Sequence, residues 1–262
     1  MPSLQAIHAA GHEITLVITQ PDRPARRGLK VTASAVKGAA QELGIEVYQP
    51  ERIREGEAVE RLRRLASDLL VVVAYGQIVP ASILSIPKGG AVNVHASLLP
   101  RHRGAAPIAR AILAGDRETG VTIMRMDELL DHGPVLAVRS TAIGEREDAA
   151  ALTLRLAEMG AELLVETVGR LGEIDAVEQD DGAATVAPRL RREDGELEWG
   201  MGAIEIDRRV RGLQPWPGAT LPTKRGRVKV LSGHVEGEVY VPDVVQVPGK
   251  RPAPAKQVLG DA

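Results

Sequence analysis

At 262 residues, with 44% apolar and 26% charged side chains, the chain can form one large domain, or one of about 170 residues plus a smaller one. A formal charge of −2 gives no overall drive toward nucleic acid, so a polyanionic partner requires a local basic patch. The absence of cysteine excludes disulfides and thiolate metal sites and fits a reducing, cytoplasmic setting, while the absence of Phe argues against an aromatic base-stacking surface and for an aliphatic core.

In chain order, residues 1–10 read as the tail of a helix stopped by Gly11, and residues 14–19 as a short buried strand rich in β-branched side chains. Residues 20–30, QPDRPARRGLK, read as a basic loop carrying Arg23, Arg26, Arg27 and Lys30; it is either a solvated loop or a phosphate- or RNA-binding one. Residues 34–43 have helical spacing, 45–48 form a strand, and 51–67 form a charged amphipathic helix. Residues 68–75 are an almost unbroken apolar run, the mark of a parallel strand covered on both faces. Gly89 and Gly90 lead into the strand of Asn93 and His95, and a helix follows over 104–115. Residues 121–126 and 134–138 are strands, and 149–171 is a long amphipathic helix.

The alternation predicts an α/β fold with an open, Rossmann-like, mostly parallel sheet, a catalytic domain over 1–172 and a polar linker over 173–188. Beyond it come a helix over 205–213, the rigid turn Gln214-Pro215-Trp216-Pro217-Gly218 and strands at 228–231 and 239–247, a small β domain over 189–262. There is no apolar run of 18 residues and no basic start leading into an apolar core, so neither a membrane span nor a signal peptide is expected.

Side chains two apart on a strand point the same way, so Asn93 and His95 share a face. Taken alone, such a pair is usually a strand end with two satisfied polar groups. Its sequel, Ser97-Leu98-Leu99-Pro100-Arg101-His102-Arg103-Gly104, is a loop at a strand end, where α/β proteins place chemistry. An amide can polarise a carbonyl and an imidazole can move a proton. Tyr75-Gly76-Gln77 and Asp131 stand at two further strand ends and converge with the pair on one site.

The run Asn93-x-His95-x-Ser97-Leu98-Leu99-Pro100, then Arg103-Gly104 and Leu130-Asp131-x-Gly133, resembles the folate-dependent formyltransferase superfamily. With TQPDRPARRGLK upstream and LQPWPGA downstream, it is similar to the branch that formylates methionine carried on initiator tRNA. The resemblance implies transfer of the formyl group of 10-formyltetrahydrofolate to the α-amino group of methionyl-initiator tRNA, for translation initiation, without metal. Asn93, His95 and Asp131 would be the catalytic residues. Tyr75, Gly76, Gln77, Ile78, Ser97, Leu98, Leu99 and Pro100 would line the folate site. Arg23, Arg26, Arg27 and Lys30 would enter the acceptor end of the tRNA. An OB-type β-barrel would follow the linker, and the protein would be a cytoplasmic monomer. His102 and His132 receive no role.

Two departures from the family pattern accompany this. The family begins with a strand before the helix that ends here at Ala10, so an N-terminally truncated chain is expected, and the C-terminal barrel reads as shortened. Two other activities stay open: formylation of another amine, such as an amino-sugar nucleotide, and an inactive RNA- or folate-binding remnant.

Overall fold

The structure, a computed structural model, describes residues 1–25, 30–224 and 226–260, with the backbone alone at 24–25 and 30–32. Helix α1 (Pro2–Ala9) is followed by β1 (Val17–Ile18) and by a hairpin of β2 (Arg23–Ala25) and β3 (Lys30–Thr32), antiparallel with Arg23 opposite Thr32. The hairpin replaces part of the expected loop. Helix α2 (Ala35–Glu42) is capped by Ser34, whose Oγ accepts from Lys37 N. Strand β4 (Val47–Tyr48) pairs with β1 in parallel. Helix α3 (Gly56–Leu65) starts later than its charge pattern suggests, because Ile53 is buried and its amide donates to Gln77 Oε1. Strand β5 (Leu70–Val72) and the one-turn helix α4 (Ala81–Leu84) lead to β6 (Ala91–His95). Then come α5 (Pro107–Ala114), β7 (Glu118–Arg125), β8 (Val135–Ala142) and α6 (Ala149–Gly169).

The second sheet has the order β5-β6-β7-β8. It is parallel at β5/β6 and antiparallel at β6/β7, with Val92 opposite Arg125 and His95 opposite Thr122. The sheet is therefore mixed, and the expectation that every site residue sits at a strand's carboxyl end is corrected for Asp131. The carboxyl end of β7 lies beside Ala91, where Met126 N donates to Ala91 O. Loop 127–133 must fold back to bring Asp131 to Asn93. The 68–75 run is corrected too. Only Leu70–Val72 is strand, each of its residues is half-buried, and Val73 is 42% exposed. Among the described strands β5 pairs with β6 alone, so one edge and part of its surface stay uncovered.

The chain divides into two compact units: Met1–Arg103, Gly120–Arg139 and Leu156–Thr185, and then Gly104–Thr119, Ser140–Arg155 and Val186–Ala262. In the first unit Ile53, Ala58, Val59, Val79, Ile83, Leu84 and Ala91 form a buried cluster between helices and sheet. Among the described residues no helix is long and apolar enough to cross a membrane.

The second unit holds α7 (Ala203–Gly212), β9 (Ala219–Thr223), β10 (Gly226–Glu236), β11 (Val239–Gln246), β12 (Ala253–Pro254) and α8 (Ala255–Leu259). The strands make an antiparallel sheet in the order β12-β11-β10-β9, open among the described residues rather than closed into the expected barrel. β9, which contains Pro222, was not among the expected strands. It is an edge strand of this sheet, where a missing N–H is tolerated, and the Pro222 carbonyl accepts from Trp199 Nε1 at 2.7 Å. Leu197, Ile206, Val210, Leu221, Val228, Val230 and Val245 fill the core beneath it. Leu221 is fully buried. Leu221→Ala is expected to destabilise this unit by about 2–5 kcal/mol, read as a lowered midpoint in denaturant with the slope unchanged.

Candidate functional site

Strand β6 builds the site by its two-residue period. Val94 faces α6 closely enough that a Cβ on Gly160 would meet its Cγ1 at 2.9 Å, which turns Asn93 and His95 to the opposite face. His95 is buried, 5% exposed. Its Nε2 lies 2.9 Å from the His102 carbonyl oxygen. A carbonyl only accepts, so Nε2 carries a hydrogen and the nitrogen left for chemistry is Nδ1. That nitrogen stands 3.6 Å from Asp131 Oδ2. Asn93 Nδ2 donates to Asp131 Oδ1 at 3.2 Å, using one of its two hydrogens. The three residues expected to act together are thus in one cluster.

The loop after β6 is held by its own hydrogen bonds. Ser97 Oγ donates to Arg101 O at 2.6 Å, Thr122 Oγ1 donates to Ser97 O at 2.7 Å, and Leu99 N donates to Thr122 Oγ1 at 3.2 Å. Ser97 and Leu99 are buried, and Leu98 and Pro100 are partly so. The Leu99–Pro100 peptide is cis. His102 has φ 61° and is buried, and its amide donates to Thr185 Oγ1 at 2.8 Å. Read as an ordinary loop residue from sequence, it orients the imidazole of His95 through its carbonyl.

Asp131 also adopts a left-handed conformation, φ 48°. Aspartate tolerates it better than most residues, but it must be held there. The Asp131 and Gly133 carbonyls both accept from Gln179 Nε2, at 3.0 and 2.7 Å. Arg103 donates to Gln179 Oε1 through Nε and Nη2 and pairs through Nη1 with Asp181 at 2.9 Å. His132, also without an expected role, donates from Nδ1 to Asp127 at 2.6 Å and lies 3.5 Å from Asp181. The hydrogen bond to Asp127 is the main cause that raises the His132 pKa, and the one from Arg103 is the main cause that lowers that of Asp181. Residues 179–185, inside the segment expected to be a linker, therefore run against the site loops.

The turn at 75–78 is braced elsewhere. Tyr75 O accepts from Gln20 Nε2, and the Gln77 amide spans Ile53 N and Glu51 O. The Tyr75 hydroxyl is buried without a hydrogen-bond partner among the described residues, and burial first, then Tyr48, pushes its pKa up. Gly76, at φ 80°, supplies the turn, and Ile78 is 87% exposed. In the basic segment Arg23 is exposed, and Asp22 beside it is held by Lys37 and Gln49. Arg26 and Arg27 lie outside the described residues, as does the side chain of Lys30.

A partly buried amide–imidazole–carboxylate cluster at the end of an α/β strand suits transfer of a carbonyl-bearing group, since it offers a donor to an oxygen that gains charge and a place for a proton. The sequence profile described as Formyl transferase matches residues 2–168, and the one described as Formyl transferase, C-terminal domain matches residues 189–251. The chain belongs to the formyl transferase family. It is 52% identical over 84% of its length to the methionyl-tRNA formyltransferase of Solibacter usitatus, covering 71% of that protein. It is 47% identical over 90% of its length to that of Methylococcus capsulatus, covering 77% of it. Among solved structures it shares the fold of HypX from Aquifex aeolicus in complex with tetrahydrofolic acid, with a TM-score of 0.63 at 18% identity, over 85% of this chain and 44% of that one.

Proposed function

We propose that this chain transfers the formyl group of 10-formyltetrahydrofolate to the α-amino group of methionyl-initiator tRNA, in the cytoplasm and for translation initiation. The observation that carries the reading is the assembled Asn93–His95–Asp131 cluster in a chain half identical to methionyl-tRNA formyltransferases. Leu129 and Leu130, 63% and 68% exposed, directly precede Asp131 and put apolar surface beside the polar cluster, which fits a flat heterocycle with a polar carbonyl group. Ser97 to Pro100 and Tyr75 to Ile78 are assigned to that co-substrate.

When bound, the folate supplies the one-carbon unit. The second amide hydrogen of Asn93 donates to the formyl oxygen as charge grows on it, an interaction that typically lowers the barrier by about 3–4 kcal/mol. His95 Nδ1 and Asp131 take the proton that the attacking amine loses and deliver it to N10 of the folate as the bond from that nitrogen to the formyl carbon breaks. Residues 1–172 with the segment 179–185 carry this chemistry, the rest of 173–188 connects, and 189–262 with Arg23, Arg26, Arg27 and Lys30 bind the tRNA.

The test is purified chain with 10-formyltetrahydrofolate and charged initiator tRNA, set against amino-sugar nucleotides. Formylmethionyl-tRNA is the expected product, and transfer only to the small amines would end this reading. Arg27→Ala is expected to raise KM for tRNA with kcat nearly unchanged. It should also reduce the slope of log affinity against log salt by about one, measured by titration at several salt concentrations.

A further inference from the structure

We infer that Gln179 is a positioning residue for the reaction, holding Asp131 in its working geometry under the direction of Arg103. Its kinetic part rests on the proposed formyl transfer, and the rest on the observed contacts. One primary amide spends both hydrogens on two carbonyls of the same tight loop, those of Asp131 and Gly133. Anchors two residues apart fix the Asp131–His132 and Gly133–Pro134 peptide planes, and so the left-handed backbone from which the Asp131 carboxylate reaches Asn93 and His95. A non-glycine residue keeps such a conformation where its surroundings over-determine it.

The orientation of the Gln179 amide is not free either. Its oxygen accepts from both Nε and Nη2 of Arg103. A flipped amide would set its NH2 group against a guanidinium that has only donors, so Arg103 selects the orientation that aims the NH2 at the loop. Arg103 is itself fixed by Asp181, and its backbone amide donates to Thr185 O at 2.8 Å. Thr185 also receives the amide of His102, whose carbonyl orients His95. One short strap, 179–185, thereby sets both the imidazole and the carboxylate.

Gln179→Ala and Gln179→Glu separate positioning from packing. The Gln179→Glu variant keeps the side-chain shape and the pairing with Arg103, but its carboxylate offers no hydrogen to the two carbonyls. Both variants are expected to lose about 10–100-fold in kcat with KM for either substrate within about twofold, because displacement of a reacting group by about an ångström costs on that order. Gln179→Glu should keep the thermal midpoint of the parent. In an Asp131→Ala background, Gln179→Ala should cost less than about twofold more, since the two act through one group. Parental kcat in Gln179→Glu, or the same fold loss in both backgrounds, would overturn the inference. If the parent chain does not formylate charged tRNA, the functional reading fails by itself, and the 15N resonances of the His95 ring still decide this point. A changed Nδ1 signal in Gln179→Ala supports positioning, and an unchanged one refutes it.

Discussion

His95→Ala is expected to lower kcat for formyl transfer to charged tRNA by about a thousandfold while the affinity for folate stays within a few-fold. General acid–base groups contribute about 10²–10⁴ in rate, and this imidazole is placed for little else. Its Nε2 is committed to the His102 carbonyl, and its Nδ1 faces Asp131 across 3.6 Å. The residues assigned to the co-substrate, Ser97 to Pro100, are held by Thr122 and Arg101 without help from the His95 ring. The loss should therefore fall on turnover. Comparison of kcat with the folate Kd of the variant checks it, and parallel losses in both would show that His95 builds the binding site instead.

Gly133→Ala is the second large effect expected. A Cβ at this position would stand 2.1 Å from the Arg125 carbonyl oxygen and 3.1 Å from its carbon. The obstacle is backbone, so it cannot swing aside as a flexible side chain would. The same neck of the loop is closed by Arg125 N donating to Pro134 O at 2.9 Å. To admit one methyl group the neck must open, and the Gly133 carbonyl that receives Gln179 moves with it. We expect kcat to fall by about a hundredfold or more, with about 1–3 kcal/mol of lost stability from overpacking. Kinetics with chemical denaturation on the same preparation test both, and turnover within threefold of the parent would rule out the close fit at this neck.

Much of the first unit could be read from residue order because its signals are local. The two-residue period of Ala91–His95 put Asn93 and His95 on one face, and the helices around the sheet were placed by their apolar spacing. The direction of β7 was not legible, because alternation of strand and helix suggests parallel pairing whether or not the intervening helix crosses back. Here His95 pairs with Thr122, so the chain re-enters the sheet at the end it left, and β7 runs back along β6. The strap was invisible for another reason. Gln179 lies in a polar, acidic stretch without apolar period, and its NH2 group donates to backbone carbonyls 46 and 48 residues away, which any residue type could present. Likewise β9, with Pro222 in it, was not among the expected strands; that it is an edge, where a proline is tolerated, belongs to the sheet and not to the local sequence. The apolar run at 68–75 misled in the opposite sense, since local composition records what could be covered and not what is.

The Trp199 side chain that braces β9 has an optical consequence. The chain has two tryptophans, Trp199 and Trp216, and both belong to the second unit. Trp199 is 49% exposed and tied by its indole N–H to Pro222 O, and Trp216 is 55% exposed in the proline turn. Indole emission therefore originates in that unit, and it is expected to follow the melting of Leu221→Ala.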